Sequence, residues 1–228
     1  MKLQAALFDF NGTMLFDEKF QEKSWISFLS DKIGRSVSDE EFKNFVHGRN
    51  ADVTLAYFLN RSVSRDETII LEEEKEKIYR KLCISSPKEF KLADGLPEFL
   101  DLLKTKGIPV TIATASGYNN VRFFFEKLAL DRWFDFDRIV YNDGTIPGKP
   151  EPDIYLKAAE KLSTDISDCV VFEDAKSGIE SARNAGAGKI IGIASMLNED
   201  TLLSYGAAAA VSDYSNAEHL YRYAFEEK

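Results

Sequence analysis

The chain opens on an apolar run, Ala5-Ala6-Leu7-Phe8, whose continuous hydrophobicity predicts a short strand buried on both faces. After Thr13 the period changes. Hydrophobic positions then recur at helical spacing to about Lys88, with no strand pattern among them. Phe20, Trp25, Phe28 and Leu29 share a helical face, and Phe42, Phe45, Leu55, Phe58 and Leu59 supply partners for it, so this stretch carries a core of its own. Ser38 with Glu41 and Ser64 with Glu67 have capping-box spacing, and Gly34 is placed to end the first helix. From Leu92 onward the two patterns alternate. Helices are predicted over Leu96–Lys106, Val121–Leu130, Asp153–Leu162 and Ser177–Ala185, and strands over Pro109–Ala113, Arg138–Tyr141, Cys169–Glu173 and Lys189–Ile193. Ala207–Val211 reads as a last short strand, followed by Asp213 and a terminal helix. Right-handed crossovers turn this order into an α/β fold, a doubly wound parallel sheet with helices on both faces. The expected organisation is an α/β core from residues 1–15 and 89–228, with residues 16–88 as an inserted helical domain. There is no internal repeat and no low-complexity linker.

Composition narrows the class without naming a chemistry. With 228 residues and 44% hydrophobic content, the chain can fill the core of one α/β domain plus a small insertion. A net charge of −9 argues against a nucleic-acid partner. Met1-Lys2-Leu3-Gln4 lacks the apolar core of a signal peptide, and no run is long enough for a membrane span. Cys83 and Cys169 fall in a helix end and a strand, which suggests buried, reduced thiols. A cytoplasmic monomer is expected.

Four segments carry candidate chemistry. Asp9 stands at the C-terminal end of the first strand, followed by Phe10-Asn11-Gly12-Thr13. Open α/β sheets place their ligands there, although an aspartate at a strand end also serves to bond turn amides. Val110 to Gly117 ends in Thr114-Ala115-Ser116-Gly117, offering a hydroxyl and amides to an anion at a helix start, with Ser116 also placed to cap that helix. In Gly148-Lys149-Pro150-Glu151-Pro152 a lysine is fixed between a glycine and two prolines. Finally, Cys169–Glu173 delivers Glu173 and Asp174 to a strand end, where adjacent carboxylates repel unless a cation lies between them and Asp9.

In this order, along alternating strands and helices, the four segments resemble the motifs of the haloacid dehalogenase superfamily of phosphotransferases, in the subgroup that includes β-phosphoglucomutase and small sugar-phosphate phosphatases. The resemblance covers essentially the whole chain. It implies a Mg²⁺-dependent phosphatase of a small phosphorylated metabolite, with Asp9 as nucleophile forming an aspartyl-phosphate. It further implies Thr114, the Ala115 amide and Ser116 around the phosphoryl oxygens, and Lys149 neutralising the charge shared with Asp9. Asp9, the Asn11 carbonyl and Asp174 would bind Mg²⁺, with Glu173 binding or orienting a metal water. The inserted helices would be the cap, and Gln21 with the loop residues His47, Arg49 and Asn50 would face substrate; Arg49 reads equally as a solvated loop cation. His219 falls far from every motif and reads as structural.

The chain leaves the pattern at Asn11. Family phosphatases and mutases carry an aspartate there, which protonates the leaving oxygen and later deprotonates water. An amide does neither, and general acid–base catalysis is worth about 10²–10⁴ in rate. A slow phosphatase, an enzyme for good leaving groups and a non-catalytic phosphometabolite binder all fit. A sugar phosphomutase fits less well, because Gln21 replaces a hinge histidine, Gly117-Tyr118 replaces Lys-Asn, and Ala51 stands where a cap arginine is expected. Branches that cleave haloacids or phosphonates fit poorly, given the acidic pair Glu173-Asp174 and a His47-Gly48-Arg49-Asn50 loop without lysine.

Overall fold

Strand β1 (Ala5–Phe8) is buried along its whole length, as its apolar run requires, and lies inside a parallel sheet of six strands in the computed structural model, which describes residues 3–226. The helices that follow β1 are α1 (Glu18–Ile33), α2 (Asp39–Phe45), α3 (Ala51–Leu59) and α4 (Arg65–Ser85). The chain then alternates: α5 (Leu96–Thr105), β2 (Val110–Gly117), α6 (Tyr118–Lys127), β3 (Val140–Asn142), α7 (Asp153–Lys161), β4 (Cys169–Glu173), α8 (Lys176–Ala185), β5 (Lys189–Ile193), α9 (Glu199–Tyr205), β6 (Ala209–Val211) and α10 (Ala217–Phe225). Strand order is β3-β2-β1-β4-β5-β6. The chain therefore builds outward from β1 through β2 to β3, then returns to the other side of β1 at β4. Such a reversal leaves a crevice at the C-terminal ends of the strands.

The period-2 alternation of the central strands sorts their side chains between two layers. Ala5, Leu7, Cys169 and Val171 pack with Ile154, Tyr155 and Ala158 of α7 and Ile179 and Ala182 of α8. Phe8 and Phe172 point the other way and stack with ring centroids 4.6 Å apart. Phe99 of α5, Phe134 and Tyr214 close around that pair with edge and tilted contacts. Each aromatic pair adds about 0.5–1.5 kcal/mol beyond the area it buries. The floor beneath the strand ends is thus rigid on both faces.

Residues assort into two compact units, one from Met1–Phe16 and Lys91–Lys228, the other Asp17–Phe90. The second unit is all helical. Its core joins Phe28, Leu29, Val37, Val46, Leu55, Phe58 and Leu71, against which Trp25, Phe42, Phe45 and Leu59 pack. Ser38 and Glu41 form the complete reciprocal cap at the start of α2. Ser64 accepts from the Glu67 amide, one half of the expected box, and the Glu67 carboxylate pairs with Arg61. Gly34, at φ 70°, ends α1.

Other boundaries differ from the sequence expectation for local reasons. Strand β2 continues four residues past Ala113 because its Thr114 to Gly117 end still finds a partner at Asn142. Gly117, not Ser116, is consequently the residue before α6, and no side chain caps that helix. Strand β3 starts later than expected because Phe136–Arg138 forms a 3₁₀ turn. Helix α9 was not expected at all: it has seven residues, with Leu202 as its buried residue, too little for a period to emerge. Cys83 and Cys169 are free and buried, and burial pushes both thiols up to about 12. Among the described residues, no helix is long and apolar enough to cross a membrane.

Candidate active site

Strand pairing persists one residue beyond β1, where the Asp9 amide donates to the Phe172 carbonyl at 3.0 Å. With Phe8 opposite Phe172 in register, Asp9 emerges beside Glu173. Asp9, Glu173 and Asp174 are all buried, and each offers an oxygen within 4.8 Å of the others. Three carboxylates so close repel strongly unless positive charge lies among them.

Lys149 supplies one such charge. Its Nζ donates to Asp9 Oδ1 at 2.5 Å and to Glu173 Oε1 at 2.6 Å, and its side chain is 9% exposed. Burial disfavours the ammonium, but the charges of Asp9 and Glu173 outweigh it and hold Lys149 above the ordinary lysine range. The loop bearing Lys149 is tied to α8: Ser181 Oγ donates to the Glu151 carbonyl at 2.5 Å, and Asn184 Nδ2 to that of Pro150 at 3.0 Å. The Tyr155 ring lies 5.1 Å from Nζ.

Glu173 is saturated with donors. Besides Lys149, Oε1 accepts from the Tyr155 hydroxyl at 2.8 Å, and Oε2 accepts from the amides of Asp174 and Ala175 at 2.9 and 3.1 Å. Gly178 makes this arrangement possible, since a Cβ there would fall 1.7 Å from Oε1. Asp174 has a different environment. It accepts from Thr13 Oγ1 at 3.0 Å, and burial, then the charges of Glu173 and Asp9, push its carboxyl well above the ordinary aspartate range. Gly12 is required beside it on two counts: its φ is +79°, and a Cβ would meet Asp174 Oδ2 at 2.2 Å. A hard divalent cation with oxygen ligands suits this donor set.

At the end of β2, the Ser116 amide donates to Thr114 Oγ1 at 3.1 Å, and the Ser116 hydroxyl donates to Asn11 Oδ1 at 2.7 Å. Thr114 is buried, whereas Ala115 is exposed. Asp9, Asn11, Thr114, Ser116, Lys149, Glu173 and Asp174 thus assemble from β1, β2, the loop before α7, and β4. Sequence reasoning assigned no part to Thr13, Tyr155, Ser181 or Asn184. Thr13 was visible within its motif; the other three lie in ordinary helical patterns and had no local signal.

The remaining candidates belong to the helical unit. Gln21, on α1, donates to Asp17 Oδ2 at 3.0 Å and accepts from Lys75 Nζ at 2.5 Å, and Tyr79 donates to the same Asp17 oxygen at 2.6 Å. His47, Arg49 and Asn50 are exposed between α2 and α3, where Arg49 Nε reaches the Asn44 carbonyl at 3.4 Å.

Residues 3–186 match the haloacid dehalogenase-like hydrolase family. A phosphorylated carbohydrates phosphatase of Thermotoga maritima is 35% identical over 142 residues, an alignment that spans 62% of either chain. Glycerol-1-phosphate phosphohydrolase 2 of Saccharomyces cerevisiae is 30% identical over 95% of this chain and 84% of its own. Among solved structures, a HAD hydrolase of family IA, variant 3, from Entamoeba histolytica superposes with a TM-score of 0.87 at 42% identity, covering 92% of this chain and 93% of that one. The chain belongs to the haloacid dehalogenase-like hydrolase family.

Proposed function

We propose that the chain is a Mg²⁺-dependent phosphatase of a small phosphorylated metabolite, acting through an aspartyl-phosphate on Asp9. One observation carries the reading: an ammonium, Lys149, held between Asp9 and Glu173 with Asp174 alongside, at the ends of adjacent parallel strands. The Asp9 carboxylate, beside Lys149, attacks phosphorus in line; the bond to the leaving oxygen breaks, and water then cleaves the acyl phosphate. Thr114 and the neighbouring β2 amides, Ala115 among them, hold phosphoryl oxygens, while Lys149 offsets charge on the shared Asp9 oxygen. Asp9, the Asn11 carbonyl and Asp174 would hold Mg²⁺, which when bound supplies positive charge against the incoming dianion. Glu173 keeps Lys149 and Tyr155 in place. The helical unit is the substrate-selecting cap of this reading, with His47, Arg49 and Asn50 as its candidate recognition residues.

Initial rates on a panel of sugar, polyol and aryl phosphates, with Mg²⁺ and with chelator, test the proposal. Metal-dependent phosphate release that disappears in Asp9→Asn supports it. Saturable binding of a phosphometabolite without release by any variant would replace it with the second reading, a phosphometabolite binder, which the amide at Asn11 favours.

A further inference from the structure

The chemistry around Asn11 sets a limit on both halves of the reaction. Its side-chain oxygen is occupied by the Ser116 hydroxyl, and an amide has no proton to exchange at neutral pH. The ionisable groups gathered nearby are bonded to one another or to fixed partners: Lys149 to Asp9 and Glu173, Tyr155 to Glu173, and Asp174 to Thr13. With an amide at position 11, that side chain offers no proton to the leaving oxygen when Asp9 captures a phosphoryl group, and no base to the water that follows.

Only a leaving group that departs as a stable anion meets the first condition. An acyl phosphate does so: the Asp9 carboxylate forms the new P–O bond, the old P–O bond breaks, and its electron pair leaves on a carboxylate, with no proton moved. One mixed anhydride replaces another, so loading is close to balanced in free energy. An alkyl phosphate would instead have to expel an alkoxide and make a high-energy anhydride from a stable ester. We propose that activated phosphoryl donors, acyl phosphates foremost, load Asp9 and that the phosphoryl group then stays on the chain, which acts as a phosphoryl carrier rather than a rapid hydrolase. This inference rests on the phosphatase-type reading of the same site and specifies its substrate class and its slow step.

The test is a pulse and chase with the full chain and Mg²⁺. Acetyl phosphate, p-nitrophenyl phosphate and glycerol phosphate are each supplied, removed by desalting, and the intact mass is followed in time. Acetyl phosphate should add one phosphoryl group, mapped to Asp9 and absent in Asp9→Asn, while glycerol phosphate adds none. The adduct should decay at least about 10²-fold more slowly in the wild type than in Asn11→Asp, the factor that general base catalysis supplies. Equal decay rates, or steady phosphate release from acetyl phosphate with no adduct at any time, overturn retention. Were Asn11→Asp unable to fold, the wild-type chase alone decides, since an adduct that survives desalting supports retention and one lost within mixing refutes it. Hydrolysis by Asn11→Asp without retention in the wild type removes the carrier role alone; no loading and no release in either form removes the phosphatase reading as well.

Discussion

The Ser116 hydroxyl donates to the side-chain oxygen of Asn11 across 2.7 Å, although 105 residues separate the two in sequence. The same hydroxyl could donate to a carboxylate oxygen at that position with little movement. Asn11→Asp should therefore be accommodated and should raise turnover of phosphomonoesters by about 10²-fold or more, most of all for alkyl phosphates, whose leaving oxygen needs the proton. Asp9→Asn should abolish turnover. Comparison of kcat/KM on alkyl and aryl phosphates checks this, and unchanged values on every class would mean that Asn11 is not the missing acid–base group. Because Asn11 precedes Gly12, peptide mass analysis must exclude a deamidated fraction as the source of wild-type activity.

Asp174 links the acidic cluster to pH. Burial, then Glu173 and Asp9, raise its pKa above the ordinary 3.8, so its contribution to stability is present below that value and lost as pH rises through the folded-state value. In chelator at pH 7, Asp174→Asn should melt higher than the wild type by at least about 2 °C, the shift that roughly 1 kcal/mol produces at this chain length. The difference should vanish in acid. Mg²⁺ should raise the wild-type Tm and leave that of the variant unmoved. A variant less stable than the wild type in chelator would contradict a destabilising charge at this carboxylate.

Two glycines should behave as if they were ligand-shell residues. Gly12→Ala places a methyl group 2.2 Å from Asp174 Oδ2 and strains a positive φ, while Gly178→Ala places one 1.7 Å from Glu173 Oε1. Backbone strain at Gly12 alone costs about 1–2 kcal/mol. Both substitutions should destabilise the chain, and Gly12→Ala should also weaken the Mg²⁺ response in thermal melts. An alanine at either position that leaves stability and metal response intact would show that the carboxylates relocate freely.

Lys149 and Tyr155 both touch Glu173 but differ in what they leave behind. Lys149→Met removes the ammonium between two buried carboxylates and should lower kcat/KM by at least about 10², since charge stabilisation at a reacting oxygen is worth that much. Tyr155→Phe leaves Glu173 with three remaining donors and should cost about 1.5–3 kcal/mol of stability, the range for a hydrogen bond to a charged group, with a much smaller kinetic effect. Denaturant melts and steady-state kinetics on the two variants separate these outcomes.

What could be read in the sequence followed the strength of the local pattern. The uninterrupted apolar runs of β1, β4 and β5 predicted those strands, and the change of period after Thr13 predicted the helices from α1 to α4. Helix α9 was invisible because seven residues with one buried position hold no period, and the end of β2 was hidden by small polar residues that suit a turn as well as a strand. At the site, Asp9, Lys149, Glu173 and Asp174 announced themselves by an unusual setting, a strand end or a proline-braced loop. Tyr155 did not, because a tyrosine on the buried face of α7 looks the same whether its hydroxyl meets a carboxylate or nothing. The Ser116 to Asn11 bond was equally hidden, since it depends on how far β2 runs past its apolar part.

The register of β1 against β4 has a consequence for how such a chain can change over time. Phe8 faces Phe172, and the sheet itself then puts Asp9 next to Glu173 at the separation of paired strands, without help from the segments that intervene in the sequence. Everything from α1 to α4 is spliced between two points of the other unit. Mutation can lengthen, shorten or replace that insert while the hydrogen-bond ladder keeps Asp9 beside Glu173; on the proposed reading, in which the insert selects the substrate, preference for one molecule over another can then change while the acidic cluster is inherited unchanged.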